Sequence, residues 1–525
     1  MTPSLEAPSA PAPPTINPWI VAISVMLATF MEVLDTTVVN VSLPHIAGNL
    51  SASIDEATWT LTSYLVANAI ILPITGWLAR TFGRKRLLLT AVMGFAGASF
   101  LCGLAMNLPM LIVFRIVQGA TGGVLQPVSQ AVMLEAFPPQ ERGKAMAFWG
   151  LGIVVAPMLG PVLGGYLTDN YSWRWIFYIN LPIGLASVIM TRLFIFDPPY
   201  LRRESSGIDY WGLGTLAVGI GALQVFLDKG QEDDWFSSHF IVALALVSAV
   251  MLAGFIAWEL WTRQPVVNLR VFRVRTYATG TGLMALLGFV LYGSMVALPI
   301  FLQTLLGYTA EQAGITMLPR GLGSFVGMPL VGVMIAKMDP RKMLAMGLVG
   351  AGVSLMALGR LDLNAGYWNL FWPQFFQGLF MAMLFVPLTT VTMDPIAPQE
   401  MGNATSLFNL LRNIGGSVGI ATATTIIARR SQDYLTVLGR HVNPYTFQSQ
   451  DVLAQMRSYF EARGADPFTA LRQAYAAIEG MVQQQAALLS YLYEFKLFGI
   501  VFLIMLPLIL MMRRPGHGGR PMTMH

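Results

Sequence analysis

Glu32 and Asp35 stand three residues apart in a run from Trp19 to Leu43 that holds no other charge. At that spacing on a helix the two side chains share one face. A carboxyl taken out of water is costly to ionise, so such an acid can bind and release a proton as its surroundings open to one aqueous side or the other. The structural alternative for Asp35 is to cap a helix break or to pair permanently with an arginine. Glu32 either faces the same cavity, where two carboxyls share charge poorly and titrate as a pair, or is simply wet. Arg115 lies in Arg115–Ile116–Val117–Gln118–Gly119. An arginine does not shed its proton, so its work is electrostatic: tuning a nearby carboxyl, or bonding carbonyls where helices pack. Arg320 and Arg412 are further charges inside apolar runs. They lie nearer the ends of those runs, where structural pairing or snorkelling serves as well.

Two glycine patterns accompany these charges. Gly152–Ile–Val–Val–Ala–Pro157–Met–Leu–Gly160–Pro161–Val–Leu–Gly164–Gly165 places small residues on one helix face, with two prolines in register. Glycines so spaced allow close helix packing, and the prolines bend the axis. Such a contact at a kink can seal a path along which protons would leak. The second pattern runs from Gly76 through Arg80 and Gly83 to Arg84, Lys85 and Arg86. It suits a tight turn whose cations pair with helix ends in one conformation only, a gating loop.

The chain has five His and one Cys, and no cluster of metal-ligand type is visible. No Gly-x4-Gly-Lys-Ser/Thr loop for nucleotide phosphates occurs either. Neither a metal nor an organic cofactor is expected, and ATP-driven work by this chain alone is disfavoured. Cys102 is the single cysteine, so no intrachain disulfide can form and cysteine usage gives no redox compartment.

The elements that must position these residues follow from composition. Of 525 residues, 55% are apolar and only 11% are Asp, Glu, Lys or Arg, against about 25% charged in ordinary soluble domains. Mean hydropathy is +0.60. Those figures exclude a soluble enzyme, a disordered chain and a nucleic-acid binder. About 20 apolar residues cross a bilayer as a helix, and such runs fill the chain. They are placed at 19–43, 58–79, 87–106, 109–133, 145–167, 175–196, 210–227, 240–260, 277–302, 313–336, 343–359, 368–392, 404–427 and 488–512. The expectation is an all-α integral membrane protein with fourteen transmembrane helices. Nothing alternates at the period of a barrel strand. The 50 Gly and 31 Pro suit tight packing and kinks in a bundle.

Orientation follows from basic residues in the short loops. One side collects Arg80, Arg84, Lys85, Arg86, Arg142, Lys144, Arg202, Arg203, Arg263, Arg270, Arg273, Arg275, Lys337, Arg341, Lys342, Arg513, Arg514 and Arg520; the other holds Arg174, Lys229 and Arg360. Both termini are then cytoplasmic. Residues 1–18 and 513–525 read as cytoplasmic tails, 19–196 as an N-terminal six-helix half, 197–276 as a linker with two inserted helices, and 277–512 as a C-terminal six-helix half. A long polar outer loop at 429–487 is expected to carry two helices, Asp451–Arg463 and Phe468–Gln485. Gly76…Arg80 running into Arg84–Lys85, and Gly332…Lys337 running into Arg341–Lys342, form a weak internal echo of the kind found where transporters are built from repeats.

Leu34–Asp35–Thr36–Thr37–Val38–Val39–Asn40–Val41–Ser42–Leu43–Pro44, Arg115–Ile116–Val117–Gln118–Gly119 and the run Gly152–Gly165 resemble the span-1, span-4 and span-5 motifs of fourteen-span drug:proton antiporters of the major facilitator superfamily. The third is the most discriminating. Trp173–Arg174–Trp175–Ile176–Phe177–Tyr178–Ile179–Asn180–Leu181–Pro182–Ile183–Gly184, and Asp228–Lys229–Gly230 through Trp235–Phe236–Ser237–Ser238, are similar to stretches of the EmrB-type branch. The resemblance covers nearly the whole chain. It departs at Arg80, where the superfamily usually has Asp, so no charge relay is carried over there. Glu32 rests on the physical argument alone.

The resemblance implies a major facilitator fold with two six-helix halves and two inserted helices. It also implies multidrug efflux driven by the proton gradient, with no enzymatic activity. Proton coupling falls to Asp35, Glu32 and Arg115, and the substrate cavity to Asn40, Gln118 and Gln126. Lipophilic or amphiphilic compounds are the expected substrates; a narrow natural one, such as a siderophore, fatty acid or amino-acid derivative, is the alternative. Implied partners are a periplasmic adaptor (an EmrA-like membrane fusion protein) and a TolC-like outer-membrane channel. The loop 429–487 serves either as the adaptor's dock or as a lid.

Overall fold

The computed structural model describes residues 17–138, 140–197, 209–262, 265–335, 337–442 and 445–509, and all regular structure among them is helical. Residues 1–16 of the expected N-terminal tail, the tail 513–525, and Arg202, Arg203, Arg263, Arg513, Arg514 and Arg520 lie outside the described residues.

The first bundle comprises α1 (Pro18–Asn49), α2 (Ile54–Phe82), α3 (Arg84–Gly103), α4 (Leu108–Gly122), α5 (Leu125–Ala136), α6 (Arg142–Asn170), α7 (Trp175–Tyr178) and α8 (Asn180–Phe194). Then come α9 (Tyr210–Lys229) and α10 (His239–Trp261). The second bundle comprises α11 (Arg275–Thr304), α12 (Ala310–Met334), α13 (Pro340–Leu358), α14 (Tyr367–Met393), α15 (Met401–His441), α16 (Phe447–Ala462), α17 (Pro467–Ile504) and α18 (Leu506–Ile509). Among the described residues, thirteen helical segments are long and apolar enough to cross a membrane. α15 is not one of them, since Asn403, Asn409, Arg412 and Asn413 dilute its apolar content, yet it packs on α2, α5, α11 and α17. The expected count of fourteen turns on this helix.

Local chemistry sets the helix ends. Ser53 and Glu56 form a reciprocal cap at the start of α2: Ser53 N–H donates to Glu56 Oε2 at 2.8 Å and Glu56 N–H donates to Ser53 Oγ at 3.2 Å. Gly83, at φ +85°, turns the chain between α2 and α3 in a conformation that other residues enter only with strain. Asp339 and Asp466 each cap a helix that begins with proline.

The two bundles repeat one design. A Cβ added at Gly119 of α4 would strike the Tyr64 carbonyl of α2, and one at Gly378 of α14 would strike the Arg320 carbonyl of α12. Gly94 of α3 meets Thr121 of α4 as Gly350 of α13 meets Phe380 of α14. Gly184 of α8 meets Ala96 of α3 as Gly499 of α17 meets Gly352 of α13. The echo seen in sequence is part of the same relation: Gly76 lies on the start of α15 at Asn403, and Gly332 on the start of α6 at Lys144.

Two helices, α6 and α9, each pack on both bundles. α6 lies between α1 of its own bundle and α12 of the other. α9 bridges α2 and α15: Lys229 Nζ donates to Thr58 Oγ1 at 2.6 Å, and Ser417 Oγ donates to Gln224 Oε1 at 3.1 Å. α10 packs outside α9.

The segment 429–487 carries the two expected outer helices, but among its described residues most of it continues the flanking spans. α15 runs on to His441 instead of ending near 427, α17 begins at Pro467 and continues into the last span, and α16 occupies Phe447–Ala462. No proline interrupts 399–443 or 468–506, which leaves both helices free to continue. With 41 and 38 residues, α15 and α17 are each about 60 Å long, roughly twice the hydrocarbon thickness. Both overshoot it at the end opposite the basic loops.

Candidate functional site

Asp35 is fully buried and saturated with donors. Arg115 Nη1 donates to its Oδ2 at 2.6 Å, while Gln118 Nε2 and Asn180 Nδ2 donate to its Oδ1 at 2.8 and 2.7 Å. Arg115 is held in turn. Its Nη1 also donates to Gln118 Oε1 at 2.9 Å, its Nε donates to the Thr60 carbonyl at 3.0 Å, and the guanidinium lies 4.2 Å from the centre of the Tyr64 ring. Ser99 Oγ accepts from Asn180 at 3.0 Å and donates to the Phe177 carbonyl at 2.8 Å. Four helices (α1, α4, α8 and α3) therefore fix one carboxylate. A buried ion pair is tolerated when each charge has its counter-charge and further hydrogen bonds serve the remaining lone pairs, and here three donors converge on the carboxylate.

Glu32, one turn earlier on α1, faces elsewhere. Gln126 Nε2 donates to its Oε2 at 2.5 Å, and Asn68 Nδ2 and Tyr64 Oη donate to its Oε1 at 3.3 and 3.4 Å. Arg412 of α15 bonds to Gln126 Oε1. A single amide thus links the acid of one bundle to the cation of the other. Among the described residues no cation bonds Glu32 directly, whereas Asp35 has Arg115. Arg412 is 2% exposed, so it does not snorkel to an interface; it works inside the protein.

The remaining predicted residues separate clearly. Gln118 belongs to the Asp35 cluster and is fully buried, not on a cavity wall. Gln126 sits between the bundles, and Asn40, further along α1, is exposed. Gly152, Gly160 and Gly164 of α6 all face α1, at Met26, Thr37 and Val38, while Gly165 has no neighbour within 4 Å. Pro157 and Pro161 lie inside the unbroken helix. The glycine run therefore packs on the helix that carries both acids.

In the turn after α2, Arg84 pairs with Glu135, Lys85 N–H donates to Asp197 Oδ1 at 2.9 Å, and Lys85 Nζ donates to the Arg192 carbonyl at 2.8 Å. Gly76 lies against the Asn403 backbone, and Arg80 reaches Glu400 of the other bundle at 4.0 Å. Asn409 Nδ2 donates to Gln130 Oε1 at 2.5 Å and Thr405 Oγ1 to the Pro127 carbonyl at 3.2 Å, also between bundles. The end that carries the basic loops is closed by these contacts.

Sequence reasoning missed Tyr64 and Asn68, which donate to Glu32, and two further residues. Asn180 is a lone amide in an apolar run, and nothing in its spacing points to Asp35. Glu494 was legible: it is an acid within the last apolar run, and it is fully buried on α17.

The family model described as Major Facilitator Superfamily matches residues 25–420. The chain belongs to the major facilitator superfamily. Its similarity to EmrB proteins places it among the EmrB-type transporters, which are not enzymes. It is 38% identical over 513 residues to Multidrug export protein EmrB of Escherichia coli (strain K12), covering 95% of this chain and 96% of that protein. It is also 38% identical over 504 residues to Fatty acid resistance protein FarB of Neisseria gonorrhoeae, covering 95% and 97%. Among solved structures, the human organic anion transporter MFSD10 matches with a TM-score of 0.57 at 14% identity, covering 94% of this chain and 100% of that one. That likeness speaks for the fold alone. In major facilitator terms the two bundles are the N- and C-terminal halves, and this multi-pass membrane protein carries its buried acids on the first helix of the first half.

Proposed function

We propose that this EmrB-type transporter is a proton-coupled exporter of lipophilic or amphiphilic compounds in the bacterial inner membrane, with fourteen spans and both termini cytoplasmic. The observation that carries the reading is the division of labour on α1. Asp35 is tied to its own half through Arg115, Gln118 and Asn180, whereas Glu32 reaches through Gln126 to Arg412 of the other half. A proton arriving on Glu32 cancels the charge opposite Arg412 and loosens the link between halves. Asp35 and Arg115 supply the fixed charge against which that change is felt. Closure at the basic end corresponds to an outward-facing posture, in which the end of α1 that carries the exposed Asn40 faces the proton-rich side. Rocking of the halves about α6 and α12 then exposes the acids to the cytoplasm, where the proton leaves and substrate enters.

Substrate-induced proton flux in proteoliposomes tests this. Glu32→Gln is expected to abolish the flux and Asp35→Asn to reduce it strongly. If both variants still accumulate substrate under an imposed pH difference, the coupling assignment is wrong.

A narrow natural substrate is the second reading. The relative named for fatty acid resistance matches as well as the one named for multidrug export, which supports keeping it. Resistance of a deletion strain across unrelated dyes and antibiotics, compared with fatty acids, separates the two.

Partners follow from the overshooting helices. The projection formed by α15, α16 and α17 is proposed to dock a periplasmic adaptor of the EmrA-like kind, which in turn meets a TolC-like channel. Phe447 and Phe468 lie at its tip, 84% and 70% exposed. Glu substitutions at both should abolish adaptor co-purification while the transporter remains folded; retained co-purification favours the lid.

A further inference from the structure

The C-terminal half contains a second buried acid and cation that the α1 mechanism does not use. Glu494 of α17 is fully buried, Arg320 of α12 is 7% exposed, and Gln377 of α14 is fully buried. Arg320 and Glu494 lie within electrostatic reach, and each is the charge that acts on the other. They do not form a close ion pair. Among the described residues, all three guanidinium nitrogens of Arg320, both carboxylate oxygens of Glu494 and both amide atoms of Gln377 lack a hydrogen-bond partner. Buried polar atoms are rarely left so, and where several cluster they mark a functional centre or a hydrated one.

Their place in the fold is informative. The packing of Gly378 on Arg320 repeats that of Gly119 on Tyr64, so Arg320 occupies the position equivalent to the tyrosine that stacks on Arg115. Gln374–Phe375–Phe376–Gln377–Gly378 on α14 likewise repeats the form of Arg115–Ile116–Val117–Gln118–Gly119 on α4. The cation has moved from the fourth helix of the repeat to the second, and the acid from the first to the last. In the N-terminal half the acid is saturated with donors and held; here the buried acid and the cation that acts on it are both unbonded.

We propose that Glu494 is a second proton-binding carboxyl, carried by the C-terminal half with Arg320 as its counter-charge. With its proton on, Glu494 is neutral and Arg320 faces it as a lone cation; with the proton released to water, the two form an ion pair. Tyr491 and Lys496 share α17 with Glu494, Tyr491 bonding Thr304 of α11 and Lys496 being exposed beside Gly359, just past the end of α13. On α15, Arg430 is engaged with the Tyr493 ring. Arg320 thus remains the charge that sets the behaviour of Glu494. The contribution to transport rests on the proposed exporter cycle; the titration itself does not.

Infrared difference spectra of the purified full-length protein across a pH series test the titration. The expected result is a carboxylic-acid C=O band that disappears as pH rises and is absent from Glu494→Gln, while the band lost in Glu32→Gln persists. Arg320→Gln, which keeps the acid, should move the midpoint of that band to higher pH. Spectra of Glu494→Gln that superpose on wild type at every pH overturn the proposal. Should Glu494→Gln fail to fold, an unmoved midpoint in Arg320→Gln overturns it equally. In proteoliposomes, protons moved per substrate should fall by one in Glu494→Gln. A wild type with the band but without substrate-driven flux would leave this site standing and sink the exporter reading.

Discussion

Gly160 of α6 lies against Thr37 of α1, two residues beyond Asp35, so closely that a methyl group on Gly160 would come within 2.6 Å of Thr37 Cβ and nearer still to Thr37 Oγ1. The helix that joins the halves and the helix that carries the acids are thus in direct backbone contact. Any change that separates them moves Glu32 and Asp35.

Gly160→Ala is expected to destabilise the protein by about 1–3 kcal/mol, the range for overpacking a filled site. It should also raise passive proton leak in proteoliposomes without substrate. Gly165→Ala, on the open face of α6, should change neither. Equal effects from the two substitutions would show that contact with α1 is irrelevant to sealing.

Asp35→Asn leaves Arg115 buried without its counter-charge, and removing one partner of such a pair costs about 3–5 kcal/mol. Asp35→Asn with Arg115→Gln should recover part of that loss, because the two effects share one interaction. Thermal unfolding of the three variants in one detergent measures this. Strictly additive losses would mean that the pair does not act as a unit.

Arg80 and Glu400 face each other across the closed basic end, both partly exposed. A pair so wet contributes at most about 1 kcal/mol, which is too little for stability but enough to move a conformational balance about fivefold. Arg80→Glu should open this end and increase alkylation of a cysteine introduced by Asn403→Cys, and Glu400→Arg in the same chain should reverse the increase. Unchanged labelling would remove the pair from the gate.

Asp466 caps α17 outside the membrane, and N–H groups of Phe468 and Thr469 donate to its Oδ1 at 3.1 and 3.2 Å. Hydrogen bonding, chiefly from Thr469, holds its carboxyl below the ordinary value of 3.8. A depressed folded-state value gives stability that is present above the unfolded value and lost as pH falls through the folded one. Amide exchange at Phe468 and Thr469 should therefore accelerate only as pH falls below about 4. In Asp466→Asn it should lose that dependence while the cap persists.

The fold was largely legible because its governing quantity, the length of apolar runs, is written linearly in the chain. The pairing of α1 with α6 was legible in kind, since glycines at Gly152, Gly160 and Gly164 announce a close partner, but not in identity, since spacing does not name the partner. Asp35, Arg115 and Arg412 stood out as charges where charge is expensive. Their division into a sealed pair and an open link was not legible, because it depends on which amides (Gln118 and Asn180, or Gln126) converge from distant segments. The two outer helices of 429–487 were legible, but the continuation of α15 and α17 into that segment was not, because apolar content bounds a membrane span and not the helix that contains it.

α15 begins at the closed basic end, where Asn403 and Glu400 meet the other half, passes Arg412 at the acid site, and ends beyond the far face of the membrane. A single stiff rod about 60 Å long therefore connects latch, proton site and projection. When the latch releases, the tip must swing with it, so the angle of the projection reports outside the membrane which way the transporter faces within it.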